Sequence, residues 1–64
     1  MVIRLVVKER DWANRETIVS VYEMQRHRKD GKRDIKGLER LLDLADMAIQ
    51  RDLIPTFEFL KEVT

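Results

Sequence analysis

Sixty-four residues with no cysteine, one histidine and 39% charged side chains exclude a disulfide framework, a thiolate metal centre and a multi-domain chain. No apolar run approaches the length of a membrane span and the first residues lack a signal-peptide pattern, so residues 1–64 read as one cytoplasmic domain without membrane contact. The formal net charge of +1 hides a segregation: Gln25 to Arg33 (QRHRKDGKR) holds five of the 13 Lys and Arg residues with one acid, whereas residues 34–64 are net acidic.

A domain of this size buries roughly 60% of the surface its unfolded chain exposes and is marginally stable alone. With no disulfide available and large aliphatic residues concentrated in a few runs, a core shared between two copies is expected, a twofold homodimer being the default.

In chain order, Val2 to Lys8 (VIRLVVK) is rich in β-branched residues and predicts a strand with Ile3, Leu5 and Val7 on one face and Val2, Arg4, Val6 and Lys8 on the other. The stretch that follows supports two readings. Asp11 or Asn14 can cap a long helix reaching Lys29, with Trp12, Ile18, Val19 and Tyr22 inward. Alternatively Thr17 to Tyr22 (TIVSVY) has strand composition, and Ser20 with Glu23 can form the capping box of a shorter helix. The long helix is the preferred expectation, closed at Gly31.

Asp34 then predicts the N-cap of a helix over residues 34–51. Its apolar stripe is Ile35, Leu38, Leu42, Ala45 and Ile49, widened by Leu41 and Ala48 so that the helix meets more than one neighbour, and Gly37 marks a close contact. Leu53-Ile54-Pro55 breaks that helix. Pro55 can open a short C-terminal helix burying Phe57, Leu60 and Val63, or Phe59 and Val63, although Thr56 to Leu60 (TFEFL) also alternates like a strand. The expected fold is therefore mostly α: strand, helix, helix and a short C-terminal helix, dimeric. The alternative is a two-layer α+β arrangement with a β-hairpin and one long helix.

Nothing in this sequence assembles an active site, and no catalytic residue, cofactor or metal is assigned. His27 sits between Arg26 and Arg28 with no carboxylate nearby to orient it, and Gly31 and Gly37 match no phosphate loop. Glu39, Asp43 and Asp46 share one helix face, which reads as a solvated acidic stripe inviting a basic partner. The basic segment carries the functional reading. Arg26, Arg28 and Lys29 would end one helix, and Lys32 and Arg33 would flank the N-terminus of the next, where free N–H groups suit a phosphate.

The order strand, helix, glycine-containing turn, helix over residues 2–51 resembles the ribbon-helix-helix repressors in element order alone. That resemblance implies paired N-terminal strands in the major groove, with Arg4 and Lys8 facing DNA and Lys32 and Arg33 beside a phosphate. The chain departs from the pattern in its long first helix, in the groove-facing Val2 and Val6, and in residues 55–64, which have no counterpart.

The leading expectation is a small dimeric regulator binding duplex nucleic acid through Arg4, Lys8, Arg26, Arg28, Lys29, Lys32 and Arg33. The alternative is a protein-interaction module (an adaptor, inhibitor or antitoxin-like subunit) using the apolar C-terminal segment with Phe57 and Phe59. In the leading reading dimerisation is expected to bury Ile35, Leu38, Leu42, Ala45 and Ile49.

Overall fold

The computed structural model describes residues 2–25 and 31–61, the side chains of 31–34 excepted. Three strands and one helix follow in the order β1 (Val2–Arg10), β2 (Glu16–Gln25), α1 (Gly31–Gln50) and β3 (Ile54–Leu60). The strands form one antiparallel sheet in the order β2-β1-β3, with α1 packed on one face. The mostly α expectation is thus overturned, and the two-layer α+β alternative fits.

Strand β1 runs as its alternation predicts and continues to Arg10. Residues 11–15 then make a tight turn. The Asn14 N–H donates to the Asp11 carbonyl and the Asp11 N–H to the Arg15 carbonyl, both at 3.0 Å. The Asp11 carboxylate accepts from the N–H groups of Ala13 at 2.8 Å and Arg15 at 2.9 Å, and Asn14 takes the left-handed conformation at φ 61°. Asp and Asn are two of the few residues that tolerate such geometry, because their side chains bond their own backbone. They are turn residues here and not helix caps. The expected helix from residue 11 or 14 to 29 is replaced by a hairpin whose second strand is β2. Residues 26–29 of that expectation lie outside the described residues.

The register runs from Val2 opposite Gln25 to Arg10 opposite Glu16, with one irregularity: Val7 faces Ser20 but Lys8 faces Ile18, so Val19 is an extra residue in β2. Strand β3 pairs with the other edge of β1, Val2 opposite Leu60 through Lys8 opposite Ile54. The expected C-terminal helix is therefore a strand. Pro55 fits at its start because β3 is an edge strand, where a missing N–H can face solvent.

Helix α1 starts at Gly31, three residues before the expected cap Asp34. It ends in a Schellman arrangement, with the Leu53 N–H donating to the Ala48 carbonyl at 2.8 Å and the Asp52 N–H to the Ile49 carbonyl at 3.1 Å. Asp52 holds the left-handed position at φ 60° that glycine usually fills. The core is Ile3, Leu5 and Val7 of β1 against Leu41, Ala45 and Ala48 of α1, with Met24, Leu44, Leu53 and Phe57 packed around it. Among the described residues Leu5 alone is fully buried.

This packing divides the expected apolar positions of α1 between two sides of the helix. The line facing the sheet is Gly37, Leu41, Ala45 and Ala48; of the expected apolar positions Ala45 and the widening Leu41 and Ala48 are buried, while Ile35, Leu38, Leu42 and Ile49 are exposed. The contact foreseen at Gly37 is with Met24: a Cβ built there would lie 2.9 Å from the Met24 Cε. The helix comes close because three of the four residues on its underside, Gly37, Ala45 and Ala48, are small.

Candidate protein-interaction surface

Two faces of the molecule carry the residues singled out by sequence. On the sheet face away from α1, Arg4 occupies the central strand between two carboxylates. Its Nε lies 2.8 Å from Glu23 on β2, and its Nη1 lies 3.5 Å from Glu58 on β3. These are its direct cross-strand neighbours, so the register itself builds the cluster. Further along, Glu16 receives the Arg10 Nη2 at 2.9 Å and stands 3.8 Å from the Lys8 Nζ. The Arg10 hydrogen bond holds the Glu16 carboxyl below its ordinary value of 4.5 against the opposing effect of desolvation, with the charges of Lys8 and Arg10 adding to it.

This face is charge-balanced: Arg4, Lys8 and Arg10 are matched by Glu23, Glu58 and Glu16. A phosphate there would displace ion pairs already made. Arg26, Arg28 and Lys29 lie outside the described residues. Lys32 and Arg33 fall in the first turn of α1, a backbone placement that carries no statement about their side chains.

The second face is the flank of α1. At 3.6 residues per turn, Gly37, Leu44, Met47 and Arg51 lean towards β2, as Met24 beside Gly37 and the shared cavity of Tyr22, Ser20 and Met47 show. Leu38, Leu42 and Ile49 then project to the opposite, β3 side, with Ile35 beyond them. Ile35 is 60% exposed, Ile49 62%, and Leu38 and Leu42 are also open. On β3, Phe59 shares the rung of Ile3 and Met24, hence the helix side of the sheet, and is 66% exposed. Phe57, one rung along, packs half-buried against the core. Of the seven residues expected at an interface, Ile35, Leu38, Leu42, Ile49 and Phe59 thus form an open apolar flank, while Ala45 and Phe57 support the interior.

Glu39, Asp43 and Asp46 follow this flank on the outward side of the helix and are exposed. Asp46 accepts from the Gln50 side chain at 3.1 Å. Among the described residues no group of three or more His, Cys, Asp or Glu side chains is placed to hold a metal. A shallow cavity of about 80 Å³ between β2 and α1, lined by Val7, Ser20, Tyr22, Leu44, Met47 and Arg51, is far below the volume of a metabolite site. Among the described residues no helix is long and apolar enough to cross a membrane.

Two features differ from the preferred expectation. Trp12, expected in the core, stands 96% exposed at the hairpin tip. Thr17 to Tyr22, expected inside a helix, is an outer sheet edge. The signal for the second was its β-branched composition. No family model, curated protein or solved structure matches the chain.

Proposed function

We propose that this chain is a protein-interaction module, an adaptor, inhibitor or antitoxin-like subunit, whose working surface is the flank formed by Ile35, Leu38, Leu42 and Ile49 with Phe59. One observation carries the reading: α1 has two apolar stripes, and the one with the larger side chains is open to solvent. Scattered exposed apolar residues are ordinary, but a stripe at helical spacing beside an exposed phenylalanine has the form of a groove for an amphipathic helix. The acids Glu39, Asp43 and Asp46 bordering it make a helix with basic margins the complementary partner.

The probe is a labelled Leu/Lys amphipathic peptide titrated with the protein and compared with its Leu/Glu counterpart. The basic peptide binds and the acidic one does not, and Leu42→Asp abolishes binding without unfolding the chain. Equal binding of both peptides, or an unaffected Leu42→Asp variant, would falsify the reading. The reading includes a homodimer, supported by how much apolar surface the single chain leaves open, and the cytoplasm as its compartment, on the cysteine-free composition.

A second reading, a dimeric regulator binding duplex nucleic acid, draws support from Lys32 and Arg33 in the first turn of α1, where the backbone N–H groups have no helical partner. Its test is anisotropy of a labelled random-sequence duplex over a salt series. Affinity that falls steeply with salt supports it, and absence of binding at low salt removes it.

A further inference from the structure

The two outer edges of the sheet are built differently. Strand β3 has Pro55 as its second residue, carries Glu58 and is followed by Lys61, the devices that keep an edge from pairing with another chain. Strand β2 presents Thr17 to Tyr22 (TIVSVY), six consecutive residues without charge, proline or glycine, of which Ile18, Val19, Val21 and Tyr22 are exposed. An uncharged edge of that length is a template for another strand.

The register of β2 shows which strand fits. Ile18 lies opposite Lys8 and Val21 opposite Val6, so both face away from the helix. Thr17 lies opposite Glu9 and Tyr22 opposite Leu5, so both face towards it. The extra residue Val19 is what lets positions three apart share a face.

Place a second copy of β2 antiparallel, with Val19 opposite the partner's Ser20. Ile18 then meets the partner's Val21, and Thr17 meets the partner's Tyr22. Glu16 meets the partner's Glu23, and each of these pairs shares a face. Sliding the register by one residue sets Ile18 against the partner's Tyr22, on opposite faces, which a sheet does not allow.

The hydrogen bonding agrees. Antiparallel pairs alternate between bonded and non-bonded, and the count along β1 starts from the Asp11 N–H bonded to the Arg15 carbonyl. Arg10, Lys8, Val6 and Arg4 are then the non-bonded positions, so their partners Glu16, Ile18, Val21 and Glu23 turn their N–H and C=O groups outward. Those four are the residues that the twofold register pairs. The juxtaposed glutamates do not forbid it, because Glu16 is held by Arg10 and Lys8 and Glu23 by Arg4 within each copy.

We infer that the outer edge of β2 is the seam of a twofold homodimer, joining two three-stranded sheets into one of six strands with both helices on the same face. The inference rests on the dimer part of the proposed function and not on its helical partner. It leaves the flank of Ile35, Leu38, Leu42, Ile49 and Phe59 open on each copy.

Sedimentation equilibrium of the full chain tests it, with circular dichroism confirming that each variant is folded. The wild type is expected at twice its 7.7 kDa chain mass. Ile18 and Val21 are 57% and 49% exposed, so charges there are tolerated by the single chain. Ile18→Glu with Val21→Glu sets like charges across two rungs of the seam and raises the dimer dissociation constant about tenfold or more. Ile18→Lys with Val21→Glu sets opposite charges on the same rungs and restores the dimer, which a general loss of stability would not do. Leu42→Asp leaves the dimer intact. A wild type that remains at the single-chain mass overturns the dimer reading altogether. A dimer indifferent to both β2 pairs, or lost in Leu42→Asp, overturns this seam while leaving dimerisation standing.

Discussion

Helix α1 carries two apolar stripes, and the sheet takes the less hydrophobic one. Gly37, Leu41, Ala45 and Ala48 face β1, while Ile35, Leu38, Leu42 and Ile49 stay outside. Ranked by transfer free energy alone, the outer stripe belongs inside. Packing reverses the order: a helix lying on a sheet gains dispersion contacts by coming close, and glycine and alanine permit the approach that isoleucine prevents. The larger residues are then carried to the flank, where they add surface for a partner.

Four sets of measurements break or sharpen this contrast. The largest effect belongs to the inner stripe: Leu41→Ala removes a buried side chain and is expected to cost about 2–5 kcal/mol in denaturant unfolding. Leu42→Ala, its neighbour on the outer stripe, should cost under about 1 kcal/mol. Equal costs would erase the distinction between the stripes.

Next comes the close approach itself. Gly37→Leu pushes a large side chain against Met24 and should destabilise by about 1–3 kcal/mol. Gly37→Ala should be near neutral, because the contacting Met24 Cε is the tip of a flexible side chain and alanine gains up to about 1 kcal/mol in helix propensity. A large loss in Gly37→Ala would mean that the interface cannot yield even there.

The third concerns how both stripes end. Asp52 holds a left-handed conformation with its carboxylate at the negative end of the helix, so Asp52→Gly is expected to raise the unfolding free energy by about 1 kcal/mol.

The smallest is a pH effect on the exposed sheet face. Because the folded-state pKa of Glu16 is depressed, its pairing with Arg10 stabilises the fold above the unfolded value and is lost as pH falls through the folded one. NMR of the Glu16 side-chain carbon should titrate below 4.5 in the wild type and move back up in Arg10→Gln. High salt should shrink the difference.

The sequence made β1 and the body of α1 legible because each has a clean period and few competing signals. Strand β2 was ambiguous for a physical reason. Asp11, Asn14, Ser20 and Glu23 are the residue types that cap helices, but Asp and Asn also make tight turns, and only pairing with β1 decides between the two. The same holds for β3, where Pro55 suits the first turn of a helix and the start of an edge strand equally well.

In the candidate surface, the residues of the outer stripe were legible as apolar and periodic, whereas the line that meets the sheet was legible only as a widening of that stripe through Leu41 and Ala48. Periodicity reports that a stripe exists. It does not report which of two stripes can approach a sheet. The ion pairs of Arg4 were illegible for a related reason: Glu23 and Glu58 lie 19 and 54 residues away and meet it only through register.

The placement of Trp12 sets what optical spectroscopy can see in this protein. The only indole in the chain stands in water at the end of a hairpin, away from Leu5 and the rest of the interior. Its fluorescence should peak near that of free tryptophan in both native and urea-unfolded chains, and iodide should quench it freely in each. Intrinsic emission is therefore blind to global unfolding. A blue shift on adding another molecule would report one local event, the covering of the hairpin tip.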